Sequence, residues 1–368
     1  MTSAVFEQIA TLGQSIWYDN ISRDVLASGE LARMIDAGEV RGVTSNPTIF
    51  EKAITSGSRY DTAVTQLLAA EPALGTEQLY ERLAIEDIRA GADLLRPVYQ
   101  ASQGGDGFIS IEVSPRLAHD TTATVDEAHR LQRAIDRPNV MIKVPATAAG
   151  LPAISQLIGA GISVNVTLLF SHQDWRGALA AYSSGLETLR DRGGDLRAVA
   201  SVASFFVSRI DSAVDALLPA GSPLRGTIAV AYSQLAYDEF VQALKAPRFA
   251  ALAAAGGRVQ RLLWASTGTK NPAYSDLLYV ERLFGPDTVN TVPPATLAAL
   301  RDHGRATPTV AVDVDRAAAA LAQLPAHGID IEAVTAQLKR EGVAAFAKSF
   351  DGLLAALDAK RARATGRS

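Results

Sequence analysis

The chain has 368 residues, 48% of them hydrophobic and 20% charged, a globular composition with enough length to bury a large core. A net charge of −4 offers no basic field for a nucleic-acid partner, and the lack of cysteine excludes disulfides and thiolate metal sites. Small anionic substrates stay admissible, because they need only a few local cations.

Taken in chain order, short apolar runs rich in β-branched residues recur between Gly, Pro, Asn or Ser, as buried strands do. Eight strands are predicted: SIWYD (15–19), GVTSN (42–46), FISIEV (108–113), VMIKV (140–144), SVNVTL (163–168), VASVAS (199–204), RLLWAS (261–266) and TVNTV (288–292). The interval 51–105 is too long for one helix and is expected to hold two or three at the rim. Thr124 with Glu127 reads as a capping box opening the helix that continues AHRLQRAI. Helical periodicity then covers 172–190, 206–218 and 225–254, and, after the eighth strand, 294–303, 313–324 and 329–361. The final KRARATGRS reads as a frayed, solvated basic tail.

Strands alternating with helices imply βαβ units and a parallel sheet, and eight such units suggest closure. The expectation is a single α/β domain over 1–368, a (β/α)8 TIM barrel with additional rim and C-terminal helices. Its strands lie within about 15–292 and its helical cap at about 294–361. The N-terminal stretch MTSAVFEQIATLGQSIWYDN lacks the basic start and apolar core of a signal peptide. No stretch reaches the ~18 uncharged apolar residues of a spanning helix. A cytoplasmic protein with no membrane contact is expected, as a monomer or homodimer. His119, His129, His172, His303 and His327 are scattered without i, i+4 spacing, so neither a metal nor another cofactor is expected.

In such a barrel chemistry sits at the C-terminal ends of the strands. The polar residues there are Asp19, Thr44 with Asn46, Glu112, Lys143, Asn165 with Thr167, and Ser204, all at or near the end of their runs. Lys143 is carried by an apolar strand, and a buried ammonium either finds a carboxylate or loses its proton. A free lysine of pKa ~10.4 is neutral in only about one molecule in 2,500 at pH 7, so a Schiff base calls for surroundings that favour the neutral amine. A structural Lys–Glu or Lys–Asp pair explains the strand alone equally well. Asp19 and Glu112 can divide the proton transfers of imine formation and C–C cleavage. Asn46, Asn165, Thr167 and Ser204 can hydrogen-bond hydroxyls or position a water, or simply cap turns. Arg209, early in the helix after the sixth strand, and Lys270, in the turn WASTGTKNP, are candidate phosphate cations. GTK lacks the glycine spacing of a Walker motif, and no nucleotide site is expected.

The segments VTSNPTIFEKAI (43–54), ISIEVSPRLAHDT (109–121), NVMIKVPAT (139–147), SVNVTLLFS (163–171) and SFFVSRID (204–211), with a looser match at WASTGTKNP, resemble the transaldolase family in order. The resemblance implies transfer of a dihydroxyacetone unit from fructose 6-phosphate or sedoheptulose 7-phosphate to an aldose phosphate. It implies Lys143 as the Schiff-base lysine and Asp19 as the acid/base of aldol cleavage. Glu112 would work with a water held by Thr167. Asn46 and Asn165 would contact the bound dihydroxyacetone, with Thr44 beside them, and Ser204 and Arg209 the phosphate, with Phe206 between. Where the best-known subfamily has an arginine, Lys270 stands as a point charge. The rival on the same fold, fructose-6-phosphate aldolase, implies glutamine in place of Glu112 and tyrosine in place of Phe206. A sugar-phosphate-binding protein without catalysis would show damage to Lys143, Asp19 or Glu112, all of which are present.

Overall fold

In a computed structural model, which describes residues 4–56 and 58–364, each of the eight apolar runs becomes a strand. They are β1 (Gln14–Tyr18), β2 (Gly42–Val43), β3 (Ile109–Glu112), β4 (Val140–Pro145), β5 (Val164–Leu169), β6 (Ser201–Phe206), β7 (Arg261–Ala265) and β8 (Thr288–Val292). All neighbours pair in parallel and in sequence order, and β8 returns to β1 with Gln14 opposite Thr288 and Tyr18 opposite Val292. Helices cover the outside, so the strands are buried on both faces, which is why they read as continuous apolar runs and not as alternating ones. The fold is the expected (β/α)8 barrel.

Local chemistry explains the details that place the rim. Gly42 is required in β2 because a Cβ there would lie 2.5 Å from the Trp17 ring, which is fully buried and donates from Nε1 to Asp106 at 2.9 Å. Asp106 closes the N-terminal end of the barrel together with Ser15, Arg41 and Arg261. Burial pushes its carboxyl up, but Arg261, Ser15 and Arg41 outweigh that and hold it below the usual range. The interval 51–105 holds the end of one helix (Pro47–Ser56) and two more (Ser58–Ala70 and Thr76–Ala101).

Three expectations need correction. The helix assigned to the Thr124–Glu127 capping box begins earlier, at Thr121, with Asp120 as N-cap accepting from the Ala123 N–H at 3.0 Å. Thr124 is buried and donates to the Leu117 carbonyl instead. The interval 225–254 is two helices, Ile228–Lys245 and Pro247–Ala254, because Pro247 drives Ala246 to an extended ψ of 142°. The basic tail is helical as far as Ala364, and Lys360 is buried against Asp61, so this stretch is docked; residues 365–368 lie outside the described residues.

That last helix (Ile331–Ala364) packs along Pro47–Ser56 at the C-terminal end of the barrel and lowers Phe346 into the mouth. Its Gly342 permits the approach: a Cβ there would lie 3.1 Å from Leu168 and 3.3 Å from Phe170. Among the described residues no helix is long and apolar enough to cross a membrane.

Candidate active site

The C-terminal strand ends converge on a cavity of about 550 Å³. Asp19 follows β1, and its carboxylate accepts from the Thr44 hydroxyl at 2.6 Å. Thr44 also lies 2.6 Å from the Thr291 hydroxyl of β8. With Asp19 ionised, the single Thr44 proton goes to the carboxylate and Thr291 donates to Thr44, which fixes the rotamer of the acid from two neighbouring strands. Asn46 caps the following helix by accepting from the Ile49 N–H at 3.0 Å, and its amide nitrogen faces no protein partner among the described residues. β5 bulges against β6: Val166 pairs with Ala203 but Leu169 with Phe205, and Leu168 takes a φ of 59°. A left-handed leucine is costly, and the bulge re-aims the adjacent Thr167 into the cavity.

Lys143 and Glu112 are register partners on β4 and β3. Their side chains are each 6% exposed, with Nζ 3.7 Å from Oε2: an ion contact, too long for a hydrogen bond. Lys143 donates to the Ser45 carbonyl at 3.2 Å and lies 5.7 Å from the centre of the Phe346 ring. Burial pushes Glu112 up to about 7; Lys143 draws it back and Asp19 adds to the rise. Burial also raises Asp19, against the Thr44 hydroxyl and Lys143. Two carboxyls near one amine are thus held above their ordinary range, and Glu112, at about 7, can exchange protons near neutral pH. The Oε2 of Glu112 and the Oγ1 of Thr167 are buried without a hydrogen-bond partner among the described residues.

Cations gather along the same cavity. Arg209 lies 5.4 Å over the Phe206 ring, at the start of the helix Ser208–Leu217, whose N-terminus has no side-chain cap. Lys270 and Lys52 line the cavity too, and none of the three is ion-paired among the described residues. Burial, then repulsion from Arg209 and Lys52, lowers the Lys270 pKa. Unpaired positive charge in one cavity favours an anion.

Of the residues singled out from the sequence, Lys143, Asp19, Thr167, Thr44, Asn46, Ser204, Phe206, Arg209 and Lys270 line this cavity. Glu112 and Asn165 do not. Glu112 borders a neighbouring cavity and touches the first through Lys143. Asn165 is wholly buried one layer down, donating to the Ser110 hydroxyl at 3.0 Å and accepting from Ser204 at 2.7 Å. Lys52, Thr291 and Phe346 were missed. For Lys52 a signal existed: Thr48, Ile49, Lys52, Ala53 and Ser56 repeat at helical spacing and all face the cavity. Phe346 comes from the distant cap and has no local signal.

The family model described as Transaldolase/Fructose-6-phosphate aldolase matches residues 16–357. The chain belongs to this family. Within the transaldolase/fructose-6-phosphate aldolase family it is 48% identical to a transaldolase of Thiobacillus denitrificans over 95% of this chain and 99% of that one. It is 48% identical to transaldolase 1 of Streptomyces coelicolor (97% and 94% covered) and 46% identical to transaldolase 2 of a Nostoc species (96% of each). The matched span of the family model contains every cavity residue discussed above.

Proposed function

We propose that this chain is a transaldolase that moves a dihydroxyacetone unit from fructose 6-phosphate or sedoheptulose 7-phosphate to an aldose phosphate through a Schiff base on Lys143. The observation that carries the reading is the buried Lys143–Glu112 contact at a cavity that also holds Asp19 and three cations without an ion pair among the described residues. The relatives' names support transferase chemistry, as do Glu112 and Phe206 where the lyase branch implies glutamine and tyrosine.

The Lys143 amine attacks the ketose C2, and Glu112, titrating near 7, takes and returns the protons needed to expel the C2 oxygen as water. Thr167 supplies a hydroxyl for that water. Asp19, oriented by Thr44, takes the proton of the C4 hydroxyl as the C3–C4 bond breaks. The electrons pass into the imine, and the released aldehyde leaves with its phosphate. The dihydroxyacetone unit stays on Lys143, within reach of Asn46 on the cavity lining; Asn165 acts from beneath, by orienting Ser204. Arg209, Lys270 and Lys52, with the uncapped N-terminus of Ser208–Leu217, hold the phosphate. The acceptor then enters and the steps run in reverse.

Borohydride reduction in the presence of fructose 6-phosphate tests this directly. Peptide mass mapping is expected to place the adduct on Lys143, and Lys143→Ala is expected to stay folded while losing more than ~10³-fold in turnover. No adduct, or an unfolded variant, would return Lys143 to a purely structural pair. Glyceraldehyde 3-phosphate formed equally fast with and without erythrose 4-phosphate would instead make the enzyme an aldolase.

A further inference from the structure

A second cavity, of about 260 Å³, lies between the end of β3 and the flanking helices Thr76–Ala101 and Thr121–Ile135. Its inner end is Glu112, whose Oε2 has no hydrogen-bond partner among the described residues. Its walls carry Tyr80, Ser114, Glu127 and Ala84, and its outer rim the exposed Glu77–Arg116 pair. Neither Lys143 nor Asp19 borders it, so Glu112 stands between the two cavities and reaches the first through its 3.7 Å contact with Lys143.

Making the imine forms the Nζ–C2 bond and breaks the C2–O bond. The oxygen leaves as water carrying both amine hydrogens, and the imine nitrogen then takes one further proton. That water is released at Lys143, beneath a sugar phosphate occupying the first cavity. We propose that the second cavity is the passage through which this water leaves and returns, with Tyr80 as a positioning residue along it. The inference rests on the Schiff-base reading of Lys143. The space suffices for several waters, each needing about 15 Å³, and Ser114, Tyr80 and Glu127 supply the polar partners that buried water requires. The Tyr80 ring is clamped edge-on between Phe50 (5.8 Å) and Phe350 (5.5 Å). Its hydroxyl makes no hydrogen bond to the protein among the described residues. Burial and the neighbouring Glu112, Glu127 and Glu81 raise the phenol's pKa, so it remains a donor at neutral pH.

The experiment follows loss of ¹⁸O from C2 of labelled fructose 6-phosphate, above an enzyme-free blank. Ala84→Leu fills the passage from the buried helix face, and Tyr80→Phe removes only the hydroxyl. Label loss is expected to slow about tenfold in Ala84→Leu and about fivefold in Tyr80→Phe, the worth of one hydrogen bond. In both, KM should stay within about twofold, because the substrate cavity is untouched. If Ala84→Leu does not fold, Tyr80→Phe decides alone. Folded variants that lose label at the wild-type rate refute the passage. A wild-type protein that neither loses label nor forms the borohydride adduct refutes the Schiff-base reading itself.

Discussion

Lys52, Lys270 and Arg209 pose one electrostatic problem at the scale of single residues. Burial lowers both Lys270 and Arg209, and repulsion from Arg209 and Lys52 lowers Lys270 further. A phosphate dianion relieves both. A charge-assisted hydrogen bond contributes about 1.5–3 kcal/mol, so Lys52→Ala and Lys270→Ala should each raise KM for a phosphorylated acceptor roughly 10- to 150-fold. Steady-state kinetics with unphosphorylated glyceraldehyde as acceptor should show no such rise; an equal loss with both acceptors would mean a general distortion of the site. Arg209 and Lys270 were legible as cations following late strands. Lys52 stands not at a strand end but in the helix Pro47–Ser56 behind β2, where only helical spacing marks the face it shares with Thr48 and Ser56.

At the scale of elements, the cap helix Ile331–Ala364 completes the mouth, and Gly342 sets how near it comes. For Gly342→Ala the gain in helix propensity, about 0.5–1 kcal/mol, offsets a contact of 3.1 Å to the flexible end of Leu168. Gly342→Val adds branched methyls toward Leu168 and Phe170, and overpacking of that kind costs about 1–3 kcal/mol. We expect near-wild-type melting for the alanine variant. The valine variant should melt earlier and turn over more slowly, as Phe346 is lifted from Lys143. Thermal melts beside kcat would check this, and a valine variant with unaltered kcat would detach the cap from catalysis. The helix was readable from its apolar period; its place over the barrel was not, since only Leu168 and Phe170 give Gly342 a meaning.

The whole molecule carries a pH signature opposite to ordinary acid lability. Burial raises Asp87 to about 6 and Asp211 to about 6, and Glu112 reaches about 7. Between about pH 4 and 6 for the aspartates, and up to about 7 for Glu112, these groups hold protons in the folded chain that the unfolded chain has released. Their stabilisation is therefore present at the acid end and is lost as pH rises through 6 to 7. Asp19 and Glu127, also raised by burial, act in the same direction; His172, lowered chiefly by burial, works the other way, and the lowered Asp106 adds acid lability only below about pH 4. Each aspartate corresponds to about 3 kcal/mol. The melting temperature should thus be higher near pH 5 than near pH 7.5, and Asp87→Asn with Asp211→Asn should flatten the difference. A melting temperature that climbs steadily from pH 5 to 7.5 would contradict it.

From the residues alone came the eight strands, their parallel order and the polar residues at their ends. All of these follow from local composition: β-branched runs, their bounding glycines and prolines, and a buried lysine amid apolar neighbours. Three-dimensional closure alone decided that Glu112 faces a different cavity from Lys143, that Asn165 sits a layer below the first cavity, and that Phe346 arrives from the far end of the chain. Those relations depend on barrel register and on contacts between residues far apart in sequence, which no local period encodes.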